Sequence, residues 1–166
     1  VRPAALLAGL AAAFLATAAL AQDLVIRGLD GAERTVSAAE IAALPRAEVQ
    51  VTWGEKTRTF EGPRLAHVLR AAGQPVGARL HGQLTTFVVV EGADGFRSVY
   101  SLAELDADLH AGKSILADRV DGAPLAGKEA PWRLVAEGDL KPWRSVYAVR
   151  RVELHALKVA PAAAHH

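Results

Sequence analysis

Lys141, Trp143 and Arg144 have the types and spacing to hold a planar anionic molecule, with one aromatic face between two cations. Such a face attracts the ligand by stacking and cation–π contact while the cations meet its charge. The competing reading is an exposed loop whose cations are merely solvated. Asp94, Gly95 and Arg97 form a second candidate group that would line a cleft if their turn stood at its mouth. As a turn, however, Asp-Gly needs no function, because both residues stabilise the tight reversal by themselves. His81 stands at a strand entry, where a ligand could approach, although lone histidines are seldom ligands. His67 falls off the apolar stripe of its helix and reads as solvent-facing. Within the domain no His-x-x-x-His or His-x-His pair exists, and the two histidines at the end of the chain belong to a small, alanine-rich tail. There is no Gly-x-Ser-x-Gly elbow, no phosphate-binding glycine loop and no close carboxylate pair. The chain has no cysteine. That excludes disulfides, thiolate metal ligands, iron–sulfur clusters and thiol nucleophiles in this chain.

The elements that must position these groups are organised around Leu84–Leu105. Thr85 to Val90 is a continuous β-branched and aromatic run, which predicts a strand buried on both faces. Ala93-Asp94-Gly95 turns the chain into a second strand, Phe96–Tyr100. Ser101 and Glu104 then form a capping box that opens a helix reaching toward His110 and carrying Leu102, Leu105 and Leu109 on one side. Upstream, Leu24–Ile26 and Arg34–Val36 flank an Asp30-Gly31 turn, and Ser37 with Glu40 repeats the capping box ahead of Ile41 and Leu44, stopped by Pro45. Val49, Val51 and Trp53 alternate on a strand that reverses at Gly54-Glu55 and returns through Lys56–Phe60. Pro63 suits a first helical position before the Leu65, Val68, Leu69 and Ala72 stripe, with Gly73 as the stop. Downstream the pattern predicts strands at Ser114–Arg119 and Trp132–Ala136. A polar loop over Glu137–Pro142 separates them from a long strand over Arg144–Leu157. Many short strands with three short helices read as an α+β fold with a mixed sheet.

The 166-residue length and the near-balance of 19 basic against 18 acidic residues fit one globular domain without a charge block. That speaks against nucleic acid and polybasic membrane partners, which need clustered Lys and Arg. Arg2, the apolar run Ala4–Ala18 and the small-x-small site Ala19-Leu20-Ala21 predict a cleaved signal peptide, a start at Gln22, a periplasmic location and no stable membrane anchor afterwards. The expected organisation is therefore a signal peptide over 1–21, one domain over 22–158 and a disordered tail over 159–166.

Taken in order, these features resemble the oxidoreductase molybdopterin-binding domain, the sulfite oxidase fold, in a small exported form. Four stretches carry the likeness: Thr59–Leu65 running into Val68-Leu69; Asp94-Gly95-Phe96 with Leu102; Leu116-Ala117 with Asp121-Gly122-x-Pro124-Leu125 and Pro131-x-Arg133-Leu134-Val135; and Ser145-Val146. The resemblance spans Leu24 to His155 and implies a mixed, barrel-like sheet with short helices and molybdopterin as the cofactor. Positions facing that cofactor would be His81, Asp94, Arg97, Lys141, Trp143, Arg144 and Ser145, with Lys128 near its phosphate. The chain departs from the family at two points. Catalytic members hold molybdenum through a cysteine in the loop after the strand equivalent to Val49–Trp53, where this chain turns straight back, and a hard hydroxyl such as Thr52 is a poor substitute for that soft ligand. The family's lysine after Ser-Val is Tyr147 here. These departures predict an exported module that binds a small anion or a periplasmic protein. The alternative is a molybdopterin-dependent oxidoreductase whose site lacks a protein thiolate or is completed by a partner.

Overall fold

A computed structural model describes residues 22–76 and 84–158. The segment expected to be a signal peptide, His81 and the C-terminal tail lie outside the described residues. Eleven strands and three short helices follow in chain order: β1 (Leu24–Arg27), β2 (Glu33–Val36), α1 (Ala38–Ala42), β3 (Arg46–Trp53), β4 (Lys56–Pro63), α2 (Leu65–Ala71), β5 (Thr86–Gly92), β6 (Arg97–Ser101), α3 (Leu102–Leu105), β7 (Ser114–Ala117), β8 (Arg119–Val120), β9 (Ala123–Pro124), β10 (Arg133–Ala136) and β11 (Val149–Ala156). Single 3-10 turns occupy Gly127–Glu129 and Pro142–Arg144.

Among the described residues the strands form three sheets, ordered β2-β1-β11-β5-β6, β10-β7 and β3-β4-β8-β9. The fold is α+β, and its largest sheet is mixed, because β1 runs parallel to β11 while the other neighbours are antiparallel. None of the sheets closes, so the barrel-like shape expected from the resemblance is not what these strands build. Among the described residues no helix is long and apolar enough to cross a membrane.

Packing follows from period-two alternation. The inner face of the five-stranded sheet contributes Leu24, Ile26, Val36, Val88, Val90, Tyr100, Val152 and Leu154 to one cluster, joined by Leu65, Val68 and Leu69 of α2. A second cluster gathers Val49, Val51 and Phe60 of the β3–β4 hairpin with Ile115, Ala117 and Val135. The small β7–β10 sheet lies between the two: Leu116 and Leu134 face the first cluster, Ile115 and Val135 the second. Each fully buried aliphatic side chain here contributes roughly 1.5–3 kcal/mol of transfer free energy.

Several expectations are corrected. Strand β5 is not buried on both faces, since Phe87 and Val89 are only half-buried and Phe87 stacks on the His155 ring with centroids 5.4 Å apart. Helix α3 stops at Leu105, because Asp106 leaves helical backbone and its carboxylate accepts from the N–H of Asp108 at 2.9 Å. Leu109 consequently lies outside the helix and is 56% exposed. Pro63 ends β4 instead of starting α2, with Arg64 as the N-cap, because the β3–β4 ladder persists to the Arg46–Pro63 pair. Strand pairing over Ser114–Arg119 is split at Asp118 into β7 and β8. The long final strand begins only at Val149, after the 3-10 turn and an Ala148 with φ of 43°.

Gly62 allows β4 to lie against β7, since a Cβ there would stand 2.1 Å from the Leu116 carbonyl oxygen. Gly62→Ala should therefore push the two strands apart and cost about 1–3 kcal/mol or more. Urea denaturation checks this; an unchanged midpoint would contradict the close approach.

Candidate functional site

The loop that joins β10 to the Pro142–Arg144 turn is tied down at both ends. Glu137 donates its N–H to the Lys113 carbonyl at 2.7 Å, and its carboxylate takes the Lys113 N–H at 3.0 Å and the ammonium at 3.2 Å. Gly138 supplies a positive φ of 86° that a side chain would resist. Asp139 receives Arg144 Nη2 on Oδ1 at 2.8 Å, while its carbonyl accepts the indole N–H of Trp53 at 3.0 Å. Arg144 Nη1 donates to Glu104 Oε1 at 3.0 Å, and the guanidinium lies 4.7 Å from the centre of the Tyr100 ring. The other oxygen of Glu104 closes the Ser101 capping box. Finally, the buried Tyr100 hydroxyl donates to the Arg144 carbonyl at 2.7 Å.

The electrostatics match this geometry. Arg144 is held charged well above its ordinary range, chiefly by the Asp139 carboxylate. Burial pushes the Tyr100 phenol up to about 12. The loop is thus rigidly crosslinked, yet Leu140 and Trp143 project from it at 84% and 79% exposure, with exposed Lys141 between them.

A second charged centre lies in the second hydrophobic cluster. Arg133 is only 2% exposed, on a strand whose four residues are all buried. Its Nε donates to Ser145 Oγ at 2.7 Å, Nη1 pairs with Glu129, and the Ser145 hydroxyl donates in turn to the Leu134 carbonyl at 2.7 Å. Around the guanidinium stand the rings of Tyr147 at 4.3 Å and of Trp53 and Phe60 at 4.9 Å each. Lys128 caps the Tyr147 ring at 5.2 Å. Burial pulls the Arg133 pKa down, with Tyr147 and Glu129 opposing that effect.

Of the residues singled out from sequence, Lys141, Trp143, Arg144 and Ser145 share this region but do not converge on one pocket. Arg144 is half-exposed but clamped between two carboxylates, Ser145 is buried beneath Arg133, and Lys141 and Trp143 stand open to solvent. Asp94 accepts the Phe96 N–H at 2.9 Å and so completes the turn. Arg97 donates from Nε to Glu91 at 2.7 Å, and Arg150 reaches the same carboxylate, which the two arginines hold below the usual carboxylate range. His67 is half-buried instead of solvent-facing. It borders a groove of ≈300 Å³ with Leu44, Pro45, Arg70 and Ala71, and its Nδ1 has no hydrogen-bond partner among the described residues. Desolvation and the nearby Arg70 lower its pKa. Among the described residues no group of three or more His, Asp or Glu is placed to hold a metal ion. Sequence reasoning did not assign a role to Arg133. The signal was an arginine set inside the apolar run Trp132–Val135, where only a paired cation can be buried.

No family model matches the chain, and no curated protein matches it. Its fold is similar to that of the sulfane dehydrogenase SoxCD from Paracoccus pantotrophus, with a TM-score of 0.59, 20% sequence identity and 81% of this chain covered. The match takes in 38% of that longer chain, and what the two share is the fold. Tested against the cofactor that the sequence resemblance implies, the residues present do not fit. No thiol is available, and Trp53, at the end of β3 where the ligand loop was expected, packs its ring on Arg133. Tyr147, where a cation was expected, packs on the same guanidinium. Arg97 and Arg144 are already bound to carboxylates.

The raised Tyr100 pKa has a readable consequence. A phenol whose folded pKa exceeds its unfolded value near ~10 adds stability below that value, and the contribution is lost as pH climbs toward the folded pKa. In a Tyr147→Phe variant, which leaves Tyr100 as the one tyrosine, phenolate absorbance should rise with a midpoint near 12 or together with unfolding. An ordinary titration near ~10 would contradict the burial.

Proposed function

We propose that this chain is an exported, periplasmic protein-binding module that uses a sulfite-oxidase-type fold without molybdenum chemistry. The carrying observation is the pair Leu140 and Trp143, held out to solvent on a loop fixed by Arg144, Asp139, Glu104 and Tyr100. Large apolar side chains grouped on a surface mark candidate interaction sites, and tryptophan is among the residues that carry most binding energy. A loop ordered in advance loses little entropy on association, so more of the contact energy is realised as affinity.

The sulfite-oxidase assignment is supported by the order of the four sequence stretches and by the likeness to the sulfane dehydrogenase. The absence of molybdenum chemistry is supported by the missing thiol and by the occupation of the space between Trp53 and Tyr147 by Arg133. A small-anion ligand is the weaker choice of partner, because Arg97, Arg144 and Arg133 are each engaged by carboxylates of this chain. Lys141 remains, and fits the polar rim of a protein interface.

Protein isolated from its native periplasm should carry no stoichiometric molybdenum and release no pterin fluorescence on denaturation. One equivalent of both would overturn the proposal. A partner retained by the wild-type chain should bind the Leu140→Ser/Trp143→Ser double variant at least about tenfold more weakly, with an unchanged circular dichroism melt. Equal retention by the double variant would remove the loop from the interface.

A further inference from the structure

The five-stranded sheet ends in two unlike edges. At one, β2 is guarded by Glu33 and Arg34, which pair with Arg151 and Glu40. At the other, β6 carries a single charge, Arg97, folded back onto Glu91 with Nη2 2.6 Å from its carboxylate. Val99 in the middle of that strand is 53% exposed.

The direction of the β6 backbone groups follows from its hairpin. The Gly92 N–H donates to the Phe96 carbonyl at 3.0 Å, which makes Gly92 and Phe96 a hydrogen-bonded pair. Alternation then makes Val90–Ser98 and Val88–Tyr100 hydrogen-bonded pairs too. The N–H and C=O groups of Arg97 and Val99 therefore point away from β5, and among the described residues nothing pairs with them. Free edges with an apolar centre and few charges are templates for another strand.

Resting on the docking reading above, we infer that the partner contributes an extended segment that adds to β6 as a sixth strand. Its backbone would bond Arg97 and Val99, and its side chains on one face would extend the stripe of Val89, Val99 and Phe87. The Leu140–Trp143 loop is fastened near the C-terminal end of β6 through Tyr100 and Glu104. Charge selects the segment further: Glu91 is shared by Arg97 and Arg150, which leaves one positive charge in excess and favours an acidic residue opposite Arg97. This is recognition by strand addition, with main-chain bonds giving affinity and alternate side chains giving specificity.

The probe is a random displayed peptide library, selected on the folded full chain, followed by synthesis of the selected peptides. Bound peptides should slow amide exchange at Arg97 and Val99 at least tenfold. N-methylation should abolish binding in one alternating phase and spare it in the other. Val99→Pro should remove binding, since that N–H makes no bond to β5 and proline is tolerated on an edge. If this variant fails to fold, the exchange and N-methyl measurements still decide. Absence of any selected binder, or binders that leave both amides unprotected, would overturn strand addition. In the latter case, binding still lost in Trp143→Ser would keep the docking loop and reject only the edge. Protection of both amides with unaltered binding by Trp143→Ser would keep the edge and reject the loop.

Discussion

Arg133 sits between the rings of Trp53, Phe60 and Tyr147 with almost no solvent contact, and an ionised group there is expensive unless each donor finds an acceptor. Its needs dictate several neighbours. Glu129 must come in from the turn after β9, Ser145 must turn its hydroxyl inward, and the aromatic faces must close around the guanidinium. Three segments are thereby fixed to β10, of which the β3–β4 hairpin is the one far from it in sequence. An apolar residue of similar volume in this position could leave the protein as stable or more so, as is common for buried ion pairs. What the cation adds is specificity of arrangement, because only one packing of these segments satisfies it.

Trp53 transmits that arrangement to the surface. Its ring contacts Arg133, and its indole N–H reaches the carbonyl of Asp139, whose carboxylate in turn holds Arg144. From Arg144 the chain of contacts continues to Glu104 and so to the cap of α3, and through Tyr100 to β6. The solvent-facing Leu140 and Trp143 are therefore positioned by a part-buried network beneath them. That explains how a surface loop can keep two large apolar side chains exposed without collapsing onto the nearest apolar surface.

Much of the scaffold was legible because its determinants are local. Both capping boxes, Ser37 with Glu40 and Ser101 with Glu104, form as their spacing requires, and Gly54 and Gly95 turn their hairpins at positive φ. The misjudged boundaries are places where tertiary pairing overrode a local rule. Pro63 satisfies the rule for a helix start, yet the β3–β4 ladder extends to it. Residues 144–148 alternate like a strand, but Pro142 and Ala148 bend them into a turn with one bridge, between Val146 and Leu134. The site was less legible still, because charge partners are not local. Arg144 looks like a free cation beside Trp143 until Glu104, forty residues away, is brought to it. Arg150 reaches Glu91 across 59 positions.

This pairing bears on what kind of ligand the surface can favour. For Arg144 to bind an external anion it would have to surrender two carboxylates, or hold the anion close to them against repulsion. A surface carboxylate pair is worth little by itself, but Asp139 and Glu104 are partly shielded and each also serves the local fold. The anion would have to replace those contacts before any net affinity appeared. Arg97 faces the same competition from Glu91, and Arg133 from Glu129 beneath its rings. The recognition capacity left unspent on this surface is of another kind: two apolar side chains, one lysine and the outward backbone of β6. Those groups suit a polypeptide, which can bury the first, meet the second with a carboxylate and complete the hydrogen bonds of the third.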